Sequence, residues 1–278
     1  MRALLIAAGV TAGLSAGGAG AATVITMSQG GDAADAKTQT MYLESDRLRM
    51  ASATGGLIYR GDMNKAFVID DKRHSYIEMS PESMQKLSAR MNDAMAKMQQ
   101  QMAAMPEAQR KQMEAMMASR GMPGMGKAPA GPPQITYKKT GDAKKVGSWN
   151  CVPYTMMMDG DPETNMCIAK LSDVGLTRDD LKPFLGLSIL MGKSMPQMGR
   201  QNASPMAGTD LDTMTKAIGF EGFPVQTTPA GGPGGYISTV QSVEHKDAPA
   251  GAFDLPAGYT KREMGGAAHG GPAQGGNE

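Results

Sequence analysis

The sequence predicts an α+β protein that is built on an antiparallel sheet and carries a helical insertion. Short runs of alternating apolar and polar residues, separated by Gly, Pro and Asp turn signals, indicate the strands. A long stretch with helical periodicity lies between two such regions, and two cysteines flank one of the turns. The chain has 278 residues, which is enough for one core of modest size. We therefore expect a single domain over residues 22–264.

Charge and composition restrict the partners of this protein. Lys and Arg together number 28 and Asp and Glu together number 27, so the formal net charge is +1. A nearly neutral chain has no uniform field to attract nucleic acid or an anionic membrane, and no nucleic-acid partner is expected. Aromatic residues make up only 5% of the chain whereas Met contributes 27 residues, so the core rests on aliphatic and thioether side chains.

The first 21 residues have the three parts of a secretory signal peptide. Arg2 supplies a positive start, an apolar run continues to Val10, and residues 19–21 form a small-residue site suited to cleavage. We expect residues 1–21 to be removed and the mature protein to be periplasmic or secreted. No later stretch approaches the ~20 apolar residues that cross a bilayer, so an integral membrane protein is not expected.

Strand patterns fill the chain from Thr23 to Met79. Residues 41–50 alternate apolar and polar side chains on either side of Ser45 and Asp46, which predicts an antiparallel pair. Further short strands, separated by Gly and Asp turns, follow before Met79. This region is therefore predicted to be a meander in which each strand pairs with the next.

A helical hairpin is predicted over residues 81–119. Ser80 is suited to cap its first helix and Pro81 to occupy the first helical position. Pro106 interrupts the helix, and a second helix is expected to fold back on the first. Residues 120–133 then form a Gly/Pro linker to the sheet. Apolar side chains spaced by three or four residues share one side of the first helix: Met84, Leu87, Met91, Met95, Met98, Met102 and Met105.

Cys151 and Cys167 lie on either side of a strong turn signal at residues 159–162. Strand patterns precede and follow this turn, so a hairpin brings the two sulfurs close together. An exported chain meets an oxidising compartment, and we predict a cross-strand disulfide. The alternative, a thiol nucleophile or metal ligand, lacks a histidine nearby in the sequence.

The last third of the chain is predicted to alternate between helix and strand. A helix with apolar surface begins near Thr177, and Pro183 should bend or restart it. A short helix is expected over residues 211–218, followed by strands at residues 223–228 and 236–243. Residues 265–278 form a Gly-rich tail that is expected to be disordered.

Several of these segments, in this order, resemble an exported bacterial family known only as a domain of unknown function, DUF4412, which is similar in fold to LolA/LolB-type lipoprotein carriers. The matching segments are residues 42–49, 57–62, 144–151, 223–225 and 253–259. The resemblance implies a strongly curved antiparallel sheet, a half-open barrel covered by helices, with a hydrophobic ligand or a lipid chain on its concave side. The Met-rich insertion departs from the plain family pattern.

The two helical regions supply apolar surface that can cover such a sheet. The predicted ligand cover consists of Met84, Leu87, Met91, Met95, Met98, Met102, Leu181, Phe184 and Leu185. The methionines are open to three interpretations: ordinary packing, a lid over a lipid, or a soft-metal site. In the soft-metal interpretation, the thioether sulfurs of Met113, Met116 and Met117 are expected to bind Cu(I).

No catalytic motif and no cofactor motif is evident. The Gly-rich run at residues 231–235 lacks the Lys-Ser/Thr of a phosphate loop, and no Gly-x-Ser-x-Gly elbow is present. The sequence therefore favours an exported, non-enzymatic protein that needs no cofactor and binds a hydrophobic or acylated ligand. The alternatives are a Met-rich protein for copper binding or copper tolerance, and a module whose helical hairpin binds another envelope protein.

Overall fold

The computed structural model describes residues 21–30, 36–103, 106–107, 134–194, 211–231 and 237–264. The predicted signal peptide up to residue 20, the second arm of the helical hairpin after residue 107, the linker 120–133 and the tail 265–278 lie outside the described residues.

The N-terminal strands form the predicted meander. Each strand pairs antiparallel with the next along the chain, and β2 and β3 are the pair predicted around Ser45 and Asp46. The strands are β1 (Ala22–Gly30), β2 (Lys37–Glu44), β3 (Arg47–Ser52), β4 (Gly55–Arg60), β5 (Lys65–Asp70) and β6 (Ser75–Met79).

The later strands complete the same sheet. They are β7 (Ile135–Lys139), β8 (Lys144–Val146), β9 (Trp149–Met158), β10 (Asp161–Lys170), β11 (Gly222–Pro229), β12 (Ile237–Lys246) and β13 (Thr260–Arg262). Over the described residues the strand order is β13-β6-β5-β4-β3-β2-β1-β12-β11-β10-β9-β7, and β8 pairs with β9. β1 therefore lies inside the sheet, between β2 and β12. The β6–β13 pair is parallel, unlike the other pairs between described strands.

The described helices are few. They are α1 (Pro81–Ala103), α2 (Leu171–Val174), α3 (Lys182–Ser194) and α4 (Leu211–Ile218). The cap predicted for α1 is present, because the Ser83 amide donates to Ser80 Oγ at 3.2 Å and the Ser80 amide donates to Ser83 Oγ at 2.8 Å. Pro183 is the second residue of α3, in agreement with a restart at this position, and α4 has the predicted bounds. No helix among the described residues is long and apolar enough to span a membrane.

Cys151 and Cys167 form the predicted disulfide between β9 and β10. Their Cα atoms are 5.3 Å apart, and both residues are buried in the main core. Closing a loop of this length stabilises the fold by about 3 kcal/mol, chiefly by restricting the unfolded chain.

The two faces of the sheet are covered differently. The inner face carries α3 and the main core, which includes Leu48, Tyr59, Leu181 and Phe184. The outer face of β4–β6 carries a second apolar cluster of Ile58, Phe67 and Ile69, with Tyr76 and Tyr259 against it. We call residues 247–259, which connect β12 to β13, the C-terminal strap.

The architecture is a mixed α+β fold with a large antiparallel sheet. The predicted strongly curved, LolA-like half-barrel is not confirmed.

Candidate functional site

One line of paired residues, which we call the register row, crosses eight strands of the sheet. Residues paired across neighbouring strands project from the same face, so these side chains lie side by side. From β12 to β13 the row is Val243, Ile25, Met41, Met50, Leu57, Val68, Ile77 and Arg262. It belongs to the inner face, because Ile25 and Met41 are part of the main core.

The apolar side chains of the register row are more exposed on β3–β6 than on β1 and β2. Ile25 is 0% and Met41 2% exposed, whereas Met50, Leu57 and Ile77 are only half-buried. Val68 is 38% exposed, in the middle of strand β5. The described inner face therefore has a strip of incompletely covered apolar side chains on β3–β6.

The next inner row shows why this strip stands apart. Its members are buried: Leu43, Leu48, Tyr59, Ala66 and Met79. Helix α3 approaches this row so closely that a Cβ atom on Gly186 would lie 2.3 Å from Tyr59 Oη. Glycine permits that approach because it has no side chain. Cover is thus tight at one end of strands β3–β6 and incomplete at the other.

Arg262 ends the register row at the sheet edge. Its side chain is half-buried, and it makes no ion pair or hydrogen bond with the residues that the structure describes. The cations around it are engaged: Lys261 Nζ lies 2.7 Å from Glu78 and Arg90 Nη2 4.0 Å from Glu263. Within the part of the chain that the structure describes, Arg262 is therefore a charge without a counterion at the end of an apolar strip.

A small cavity of about 100 Å³ adjoins Arg262. Its lining is Glu78, Ser80, Glu82, Ser83, Lys86, Leu87, Arg90, Lys261, Arg262, Glu263 and Met264. The carboxylates of this lining already have cationic partners, since Glu78 also contacts Lys65 at 2.9 Å and Glu82 contacts Lys86 at 2.9 Å. Hydrogen bonds from Lys261 and Lys65 lower the pKa of Glu78 below its ordinary value.

The structure places only part of the predicted ligand cover. Met84 is buried, and Leu87 is half-buried beside the small cavity. Leu181 and Phe184 are buried in the main core, with Leu185 half-buried against it. Met91, Met95, Met98 and Met102 lie on the helical backbone of α1, but their side chains are outside the description, as are Met113, Met116 and Met117 altogether. The lid and the Cu(I) site therefore stay predictions.

A polar cluster around the buried Thr23 has no signature in the sequence. The Thr23 hydroxyl donates to Asp180 Oδ1 and lies 3.2 Å from His245 Nδ1, while His245 Nε2 lies 2.9 Å from the Gly175 carbonyl oxygen. Burial raises the pKa of Asp180, but hydrogen bonds from Thr177 and Thr23 outweigh it and lower the pKa overall. Thr23 is only 2% exposed, so this cluster joins β1 and β12 to the segment before α3 and offers no accessible nucleophile.

The fold and this site define an α+β protein whose large antiparallel sheet leaves an apolar strip, ended by an arginine, on its helix-bearing face. The family described as "Domain of unknown function (DUF4412)" matches residues 59–259, and the chain belongs to this family.

The other comparisons are distant. None of the curated proteins compared with this chain matches it. Among solved structures, that of PNGF-II in space group C2 is similar with a TM-score of 0.36 and 9% identity. The match covers 87% of this chain and 31% of the PNGF-II chain, so the present chain spans less than a third of that protein.

Proposed function

We propose that this protein is an exported, non-enzymatic binder of a hydrophobic or acylated ligand. The ligand lies on the inner face of the sheet, along the register row, in the hollow of a half-open barrel whose cover includes the Met-rich helical arm. The observation that carries the proposal is the incompletely covered strip of Met50, Leu57, Val68 and Ile77 beside an otherwise buried core. Adjacent apolar side chains that the fold leaves only partly covered favour an apolar partner.

Burial of a hydrocarbon chain supplies enough free energy for such binding. Each methylene removed from water contributes about 0.8 kcal/mol. That is about a fourfold gain in affinity per carbon, as long as the added carbon still lies on the strip. An acyl chain thus needs no polar contact with the row itself.

Two sequence features support export. The three-part leader at residues 1–21 is typical of a secretory signal peptide. The disulfide between Cys151 and Cys167 is of the kind that forms and persists in oxidising compartments such as the periplasm. The periplasm or the extracellular space is therefore the proposed location.

Native mass spectrometry of the protein purified from its own envelope tests the proposal. We expect a co-purifying lipid or acyl compound, and we expect the V68D variant to lose most of it because a carboxylate would have to be desolvated under the chain. The control is I237D, because Ile237 has the same 38% exposure but lies off the register row.

The alternatives give different outcomes in the same experiment. Retained copper without lipid would favour the copper-binding hypothesis for the Met-rich arm. Neither lipid nor copper would favour the protein-interaction module. Equal lipid loss in V68D and I237D would contradict the assignment of the ligand to the register row.

A further inference from the structure

We propose that the ligand of the register row is a single-chain amphiphile with an anionic head group, carboxylate or phosphate, and that Arg262 binds this head group. This inference rests on the proposed function and adds the chemical class and the orientation of the ligand. The chain points from the sheet edge toward the centre of the sheet, and the head group stays at β13.

The charges around the small cavity favour an anionic ligand. Among the described residues around the small cavity, each carboxylate contacts at least one cation: Glu78 contacts Lys65 and Lys261, Glu82 contacts Lys86, and Glu263 contacts Arg90. Arg262 is the cation of this lining that has no such partner among the residues of known placement. A half-buried guanidinium with unused donors favours a planar or tetrahedral anion, to which it can donate two parallel hydrogen bonds.

The small cavity is too small for a whole amphiphile. The cavity of about 100 Å³ beside Arg262 is well below the roughly 300 Å³ at which pockets begin to hold a whole small-molecule ligand. It has room for a head group only. A chain attached to such a head group extends beyond the cavity, and the neighbour of Arg262 in register is Ile77, where the apolar strip begins.

The length of the apolar strip sets the length of the chain that fits it. Neighbouring strands lie about 4.8 Å apart, so the four steps from Arg262 to Met50 span about 19 Å. Bonds of about 1.5 Å at tetrahedral angles advance about 1.25 Å per carbon, so this span fits an extended chain of about fifteen carbons. Beyond Met50 the row is fully buried at Met41, which limits the chain at that end.

The probes are laurate, dodecyl phosphate and 1-dodecanol, which share a twelve-carbon chain and differ in the head group. Isothermal titration measures their affinities for the full-length mature protein and for R262Q. We expect R262Q to weaken binding of the anionic probes about tenfold, since hydrogen bonds between charged groups are lost, and to change dodecanol affinity less than about twofold. Whichever anion binds more tightly to the native protein identifies the head group as carboxylate or phosphate.

The matched control is R73Q. Arg73 is an exposed arginine in the β5–β6 turn, paired with Asp70 at 3.1 Å, and it lies outside the cavity lining. R73Q removes the same charge and should leave the affinity for all three probes unchanged. R262K is a second control, which shows whether a substitution at this position disturbs the sheet edge. It keeps the positive charge but loses the guanidinium, so its affinity for the anionic probes should lie between those of the native protein and R262Q.

The outcomes separate this inference from the proposed function. If the native protein binds dodecanol as tightly as laurate and dodecyl phosphate, and R262Q changes none of them, the head-group assignment is wrong while the apolar site stands. If R262Q and R73Q weaken the anionic probes equally, the effect is one of general charge and the assignment is again wrong. If none of the three probes binds to the native protein, the proposed function itself fails.

Discussion

The two faces of strands β4 and β5 differ in how completely the chain covers them. Phe67 and Ile69 point to the outer face and are 6% and 3% exposed, whereas Val68 between them points to the inner face and is 38% exposed. The same strands are therefore closed on one side and partly open on the other. The chain supplies a covering segment, the C-terminal strap, for the outer face, whereas the inner strip on β3–β6 stays partly open.

A cation–π contact, an ion pair and a hydrogen bond hold the C-terminal strap on the outer face. The Arg47 guanidinium lies 5.0 Å from the centre of the Phe253 ring, and Arg60 contacts Asp254 at 3.5 Å. The Tyr259 hydroxyl donates to Asp71 at 2.8 Å. Beyond the strap, Lys261 on β13 reaches Glu78 on β6. No corresponding set of polar contacts closes the described inner face over Val68.

The largest expected effect is a difference in the free energy of unfolding between substitutions on the two faces. We expect F67A to destabilise the fold by about 3–5 kcal/mol, because it removes a buried aromatic ring from the outer cluster. V68A should cost less than about 1 kcal/mol, because its side chain is already partly in water. Urea denaturation of the ligand-free variants measures both values. Equal costs would mean that the inner face is closed in solution.

A smaller effect follows from Glu78 on β6, which forms ion pairs with Lys261 on β13 and with Lys65 on β5. The pKa of Glu78 is lowered by its hydrogen bonds to Lys261 and Lys65, so the charged pair contributes stability above the ordinary carboxyl pKa of 4.5. That contribution is lost as the pH falls below this value and the carboxylate becomes protonated. We expect the difference in Tm between the native protein and E78Q to shrink between pH 6 and pH 3.

E82Q is the matched control for this pH series. Glu82 pairs with Lys86 on α1, but both side chains are largely exposed, at 77% and 67%, and such pairs contribute little. A pH dependence that is the same in E78Q and E82Q would show that the Glu78–Lys261 ion pair does not anchor β13.

The elements that the sequence predicts well are those decided by residues close together in the chain. Helix α4 and the β2–β3 pair were predicted closely because apolar periodicity within a short window decides both. The cap at Ser80 and the disulfide follow from residues next to a turn or a helix start. Strands β8 and β13, with three residues each, and the four-residue helix α2 are too short to show a period, and they were missed.

The candidate site depends on pairings that no local pattern contains. Arg262 joins the register row only because β13 adds to β6 in parallel, after the strap has crossed the outer face. Thr23 and His245 are 222 positions apart, and Thr23 and Asp180 are 157 apart. The predicted cover residues Leu181 and Phe184 were recognised as apolar, but their burial in the main core could be seen only once the sheet order was known.

Intermolecular nuclear Overhauser effects between laurate and the methyl groups of the protein test the account most directly. Adjacent residues on the same strands report the two faces separately. We predict contacts from the laurate chain to Leu57, Val68 and Ile77 on the inner face, and none to Ile58 and Ile69 on the outer face. Contacts to Ile58 and Ile69, or bound laurate without contacts to the inner residues, would contradict the assignment of the ligand to the register row.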